Sequence, residues 1–211
     1  MRDFLKNETL LIQELPLIFC SGEASGKKSS DFDLSLGQSP KNIEFQPASV
    51  LVPITFDTDG PGVVFIKRAT TLKDHPGQIG FPGGKVERGD SSQLETVIRE
   101  CYEEIYLKKE DTNVLGTLPQ HNTVTGYSIT PFVGVIKSFE KLKPDLSEVV
   151  EIFKVPLDFL LTKDNMRVHF RSFDGDDRSY FVIAYGPYYI WGATARIVKT
   201  FSDLIEGYEK A

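Results

Sequence analysis

Arg99-Glu100-Cys101-Tyr102-Glu103-Glu104 sets three carboxylates at relative positions i, i+3 and i+4. On a helix those positions share one face, so the charges of Glu100, Glu103 and Glu104 converge. Clustered like charges repel unless a cation joins them. A hard divalent ion such as Mg2+ or Mn2+ prefers oxygen ligands and often also holds a phosphate. Just upstream, Gly83-Gly84-Lys85-Val86-Glu87-Arg88-Gly89-Asp90 forms a glycine turn leading into that helix. Glycine lets backbone groups approach a metal or phosphate closely. Residue type and spacing therefore point to metal-assisted chemistry on a phosphate compound. The plainer alternative is a solvated acidic face with ordinary Arg99–Glu103 and Glu104–Lys108 pairs.

The elements that must position these groups follow from patterning. The acidic helix is predicted from about residue 91 to about residue 107, capped by Ser91 or Asp90. Leu94, Val97, Ile98, Cys101 and Ile105 form its apolar stripe. At the helical period, that stripe lies about 120° from the mean direction of the glutamates. One face is thus expected in the core and the acidic face open to a cleft. Asp90 and Glu87 either join the metal site or only charge the helix N-terminus.

Residues 48–54 and 63–68 read as strands joined through Asp57-Thr58-Asp59-Gly60-Pro61-Gly62, and residues 78–81 as a short strand ending at Pro82-Gly83-Gly84. Residues 114–118, 127–136 and 149–155 continue as strands. Residues 167–173 and 180–185 flank Asp174-Gly175-Asp176-Asp177 as a hairpin, and residues 193–205 read as a closing amphipathic helix. Residues 1–19 carry an irregular helix-like pattern. Residues 21–42, rich in Ser, Gly and Lys, read as a loop or mobile linker. An α/β fold with a mixed β-sheet packed between helices fits this order.

The chain has 211 residues, net charge −6, 40% hydrophobic and 26% charged residues, as expected of an ordinary globular protein with one sizeable core. The negative charge argues against a nucleic-acid backbone binder. Cys20 and Cys101 have no zinc or disulfide spacing, so a reducing cytoplasm is expected. No apolar run has the length of a membrane span. Glu8 and Glu14 interrupt the apolar stretch that a signal peptide would need.

The run resembles the Nudix box, whose pattern is Gly, five residues, Glu, seven residues, Arg-Glu-apolar-x-Glu-Glu-x-Gly-apolar. The match lies on Gly84, Arg99, Glu100, Cys101, Glu103, Glu104 and Leu107. Three departures stand out. Asp90 replaces the first glutamate, eight residues rather than seven precede Arg99, and Tyr106 replaces the glycine at the helix exit. The segment from Arg68 through His75-Pro76-Gly77-Gln78 to Phe81-Pro82-Gly83-Gly84 looks like that of coenzyme A-type Nudix pyrophosphatases, a branch that commonly has the longer box. Leu118-Pro119-Gln120, Thr125-Gly126-Tyr127, Thr130-Pro131, the stretch from Glu148 to Leu157 and that from Ile190 to Arg196 resemble it as well.

The resemblance implies a Nudix-type α/β/α sandwich over residues 43–211, behind an N-terminal extension and flexible linker over residues 1–42. It implies hydrolysis of coenzyme A or its thioesters to 3′,5′-ADP and 4′-phosphopantetheine, with Mg2+ or Mn2+ on Glu100, Glu103 and Glu104. Arg99 is expected to fix a carboxylate rotamer, and Gly83 and Gly84 to approach metal or phosphate. The general base is one of the helix glutamates, or Glu148 or Glu151 from the later segment, with Glu103 or Glu104 favoured as ligand and possible base and Glu148 the outside candidate. Arg68, Lys73 and His75 are candidates for substrate phosphates, with a turn role as the alternative for His75. A different nucleoside diphosphate derivative such as ADP-ribose or a dinucleotide, a nucleoside triphosphate, or a non-catalytic nucleotide-binding module are the competing readings. The expected partner is a small nucleotide, not nucleic acid or membrane, and a homodimer is left open. His121 and His169 are expected to be structural or exposed, and Trp191, Tyr188 and Tyr189 to be packing residues, with adenine stacking as the alternative. The segment from Ser21 to Ser29 lacks the first glycine and the hydroxyl residue of a phosphate-binding P-loop, so it reads as linker.

Overall fold

Alternating apolar residues build a sheet that must be covered on both faces, and two sets of helices cover it. The computed structural model describes residues 3–23, 28–34, 43–173 and 176–208. In chain order these form α1 (Asp3–Lys6), α2 (Glu8–Glu23), β1 (Ser29–Ser30), β2 (Gln46–Asp57), β3 (Gly60–Arg68), β4 (Ile79–Gly80), β5 (Gly83–Lys85) and α3 (Gln93–Ile105). Then come β6 (Thr112–Thr117), β7 (His121–Asn122), β8 (Tyr127–Ile136), β9 (Val149–Pro156), α4 (Leu157–Leu161), β10 (Met166–Phe173), β11 (Asp176–Tyr185), β12 (Tyr188–Trp191) and α5 (Gly192–Tyr208).

The main sheet runs β1-β7-β8-β2-β3-β4, with β5 on β2, β6 on β8 and β9 on β3. It is mixed: β2 and β8 run parallel from Gln46↔Tyr127 to Ile54↔Val135, whereas β2 and β3 are antiparallel. Along β3, Val63 and Phe65 enter one core with Ala195, Val198 and Phe201 of α5. Val64 and Ile66 enter the other with Val97, Cys101 and Ile105 of α3. This period-two division makes the sheet the middle layer of an α/β/α sandwich. Strands β10, β11 and β12 form a separate antiparallel sheet, the expected hairpin extended by one strand; its turn at Asp174-Gly175 lies outside the described residues.

The N-terminal region differs from the expected extension. Leu5, Leu11, Leu15, Ile18 and Phe19 belong to the same core as α5, so α1 and α2 form a wall of the sandwich. Part of the expected linker is also ordered. Ser29–Ser30 pairs in parallel with His121–Asn122, and a 3-10 turn follows at Asp31–Leu34. Residues 24–27 and 35–42 of that expected linker lie outside the described residues. Buried His121 fastens the segment, with Nδ1 2.9 Å from Ser29 Oγ and Nε2 2.9 Å from Asp31 Oδ1. The trio has the composition of a nucleophilic triad, but its serine is buried, so its work is to hold the segment in place. Among the described residues no helix is long and apolar enough to cross a membrane.

Candidate active site

Helix α3 is capped by Ser92, not by the expected Ser91 or Asp90. Ser92 is extended (φ −160°, ψ 162°) and its Oγ accepts the Glu95 N–H at 3.1 Å. The Glu95 carboxylate reaches back to the Ser91 N–H at 2.6 Å and to its hydroxyl. The first bond satisfies an amide that the first helical turn leaves open, and the others tie the residue before the cap to the helix. Val97, Cys101 and Ile105 are buried as expected, but Leu94 is 41% exposed at the helix start. Burial also pushes the Cys101 thiol well above its usual range, which leaves it an inert core residue.

The helix ends where the box departs from its pattern. Tyr106 takes the left-handed conformation (φ 53°, ψ 28°) that glycine normally supplies. Tyr106 N–H donates to Tyr102 O at 3.0 Å and Leu107 N–H to Cys101 O at 3.2 Å. The first is the 5→1 bond of an αL closure, and the second satisfies a further carbonyl of the last turn. The exit is therefore built in spite of the substitution, at a local strain of about 1–2 kcal/mol.

The acidic face is not uniformly open, contrary to expectation. Glu103 has 51% of its side chain exposed, Glu100 has 15% and Glu104 only 1%. Glu104 Oε1 accepts from Arg68 Nη1 at 3.0 Å, at the end of β3, and its Oε2 accepts from the Gly83 N–H at 2.9 Å. Its partner is Arg68, not the Lys108 of the solvated-face alternative. Burial pushes the Glu104 carboxyl up to about 8; Gly83 and Arg68 oppose the rise, and Glu100 and Glu148 add to it by repulsion. Burial raises Glu100 too, opposed by Arg99 and reinforced by Glu103 and Glu148. Glu148 is thus electrostatically joined to the helix carboxylates, although it lies in the turn before β9.

The glycines act by what they omit. A Cβ on Gly84 would overlap the Glu100 carboxylate. Gly83 has φ +146°, and a Cβ there would overlap the Ser49 carbonyl of β2. One position admits a side-chain carboxylate and the other admits the neighbouring backbone.

Arg99 ties the site together. Its Nε and Nη2 bind Asp90 Oδ1 and Oδ2 at 3.0 and 3.1 Å, and its Nη1 reaches Glu100 at 2.9 Å and Glu103 at 2.8 Å. Nη2 also donates to the Lys85 carbonyl at 3.3 Å. Asp90, which accepts from the Glu87 N–H and the Thr96 hydroxyl as well, lies well below the usual carboxylate range, chiefly because of Arg99. The residue in the place of the first box glutamate is therefore spent on anchoring Arg99.

Other candidates lie apart from this cluster. His75 is exposed at φ 54°, with Nδ1 3.1 Å from Gln78 Oε1 in its own turn. Lys73 is exposed. Glu151 accepts from Tyr188 Oη at 2.6 Å, and Tyr188 stacks on Phe153 at 3.6 Å, a link between the two sheets with no signal in local spacing. Among the described residues, no three acidic, His or Cys side chains form a ready-made metal cluster, since arginines hold the carboxylates.

The NUDIX domain family matches residues 45–169. An uncharacterized Nudix hydrolase NudL of Pectobacterium atrosepticum is 36% identical over 174 residues, covering 79% of this chain and 87% of its own. The protein of the same description from Enterobacter sp. is 34% identical over 152 residues, covering 72% and 79%. The solved Nudix hydrolase RenU of M. smegmatis overlays with TM-score 0.45 at 18% identity, over 54% of this chain and 71% of its own. The family match spans more than half of the chain and carries the glycine turn, Arg99 and the glutamates within it, so this chain belongs to the Nudix family and is a Nudix hydrolase.

Proposed function

We propose that the chain is a metal-dependent pyrophosphohydrolase that cleaves the diphosphate of coenzyme A or its thioesters, releasing 3′,5′-ADP and (acyl-)4′-phosphopantetheine. One observation carries the reading. The segment from Arg68 to Gly84, which resembles the coenzyme A branch, is also the segment that closes on the buried carboxylate: Arg68 binds one Glu104 oxygen and Gly83 the other.

Nudix hydrolases generally use divalent metal ions. The donors here fit one: all are carboxylate oxygens, and Glu100 and Glu148 repel the Glu104 carboxylate. Glu100, Glu103 and Glu104 would hold the ion, which when bound neutralises diphosphate charge and acidifies water. Arg99 keeps Glu100 and Glu103 on one side of the helix. Arg68, whose side chain is partly exposed beside Glu104, is the candidate for a phosphate oxygen. Glu104 has both oxygens engaged and suits a ligand. Glu148 feels the same cluster from a separate loop, and we assign it proton removal from the attacking water.

The test is incubation with coenzyme A and magnesium or manganese, read by mass spectrometry beside ADP-ribose, a diadenosine nucleotide and a nucleoside triphosphate. Appearance of 3′,5′-ADP is expected. Cleavage of any of the others with coenzyme A left intact rejects the substrate assignment.

A further inference from the structure

Helix α3 leaves its last carbonyls open, as every helix does, and the loop between β8 and β9 fills two of them. Lys143 N–H donates to the Ile105 carbonyl at 3.1 Å, and Asp145 N–H to the Glu104 carbonyl at 2.9 Å. The loop that carries Glu148 is therefore fastened to the end of the helix that carries the acidic cluster. It is fastened again beside β3, where Ala69 N–H donates to the Glu148 carbonyl at 2.7 Å. The β3–β9 ladder shifts register at this point, pairing Lys67 with Glu151 but Arg68 with Val149. A bulge of this kind bends the strand and re-aims the side chains beside it. Arg68, at the bulge, closes the circuit through its bond to the Glu104 carboxylate at 3.0 Å.

Asp145 is the hub of that circuit. Its Oδ1 accepts the Ser147 N–H at 2.9 Å and the Ser147 hydroxyl at 2.6 Å. Aspartate stabilises a turn in this way, by bonding the backbone two residues further on. The Asp145 carbonyl accepts the Glu148 N–H at 2.9 Å and the Val149 N–H at 2.7 Å. Leu146, inside the turn, is 72% exposed, so apolar packing does little to fix it and the hydrogen bonds must. The Ser147 donors also hold the Asp145 carboxyl below the usual carboxylate range, which keeps it an acceptor.

We propose that Asp145 is a positioning residue for hydrolysis: its carboxylate fixes the turn that holds Glu148 beside the helix carboxylates. Asp145 has this role only with Glu148 as the base. A base acts only within hydrogen-bond reach of its water, so a turn that wanders misplaces it at a high cost in rate. The backbone bonds at either end of the loop set where the turn sits, and the Asp145–Ser147 bonds set its shape.

The full-length protein is read in two ways. Without metal or substrate, amide hydrogen exchange in Asp145→Ala should quicken at Glu148 and Val149 by at least about tenfold and stay unaltered at Val97 and Cys101 in the core of α3. With magnesium and coenzyme A, or the other nucleotide found to be cleaved, Asp145→Ala should lower kcat about 10- to 100-fold with KM little changed. Asp145→Asn, whose amide oxygen still accepts from Ser147, should keep most of the native kcat. In the Glu148→Gln background Asp145→Ala should cost less than about twofold, because no base is left to place. Circular dichroism checks folding; should Asp145→Ala not fold, Asp145→Glu, whose carboxylate stands one methylene too far out to close the turn, is read in the same way. An equal loss in both backgrounds overturns the proposal, as does native exchange at Glu148 and Val149. Native kcat in Asp145→Ala beside a slow Glu148→Gln overturns the positioning role alone. Native kcat in Glu148→Gln overturns the assignment of the base and the positioning role with it.

Discussion

Glu104→Gln isolates the electrostatic cost of the buried carboxylate. In the metal-free fold, burial raises this group from an ordinary glutamate value of 4.5 to about 8. A group whose pKa is higher folded than unfolded contributes its full stability below the unfolded value and loses it as pH rises through the folded value. Here that window runs from 4.5 to about 8. At about 1.4 kcal/mol per pKa unit, the full loss is on the order of 5 kcal/mol, with about 4 of it between about pH 5 and pH 9. Glutamine has no proton to lose. Urea unfolding in the presence of a chelator, repeated across that range, should show the native protein losing several kcal/mol more than Glu104→Gln. The absolute stability of the variant is immaterial, because its amide removes the ion pair with Arg68; the difference in slope carries the result. Magnesium should shrink the slope of the native protein, since bound cation favours the ionised carboxylate. Parallel pH curves for the two metal-free proteins would refute the premise that burial withholds ionisation at Glu104.

Gly84→Ala should fold close to normally, because the new Cβ meets only the mobile end of Glu100, yet lose activity about 10- to 100-fold as that carboxylate is displaced. Gly83→Ala should instead lower thermal stability sharply, because its Cβ meets the Ser49 carbonyl at φ +146°; equal melting temperatures for the two variants would contradict this division. Tyr106→Gly should raise unfolding free energy by about 1 kcal/mol through relief of left-handed strain, offset in part by loss of the edge contact with Tyr102 at 5.9 Å; chemical denaturation reads it, and a large destabilisation would contradict the strain argument. Glu148→Gln should lower kcat by on the order of 10²- to 10⁴-fold with little change in KM; unchanged kcat in steady-state assays would remove Glu148 as the base.

Local spacing decided much of this protein. Alternation along residues 63–68 and the stripe on α3 were enough to place the sheet between helices. The i, i+3, i+4 glutamates and the glycine turn pointed to the candidate site, because both signals lie within one short stretch of chain. The environment of each carboxylate was not legible there. Glu103 and Glu104 are adjacent in sequence, yet one is half exposed and the other buried, a difference that depends on where β3 and β5 close over the helix. Arg68 reaches Glu104 across 36 residues, and His121 reaches Asp31 across 90, so neither pair leaves a periodic trace. The same separation hid the packing of the N-terminal helices into the core. Composition and period report which residues seek burial or water, but only the tertiary fold decides which distant charges share a space from which water is excluded, and there electrostatic effects are largest.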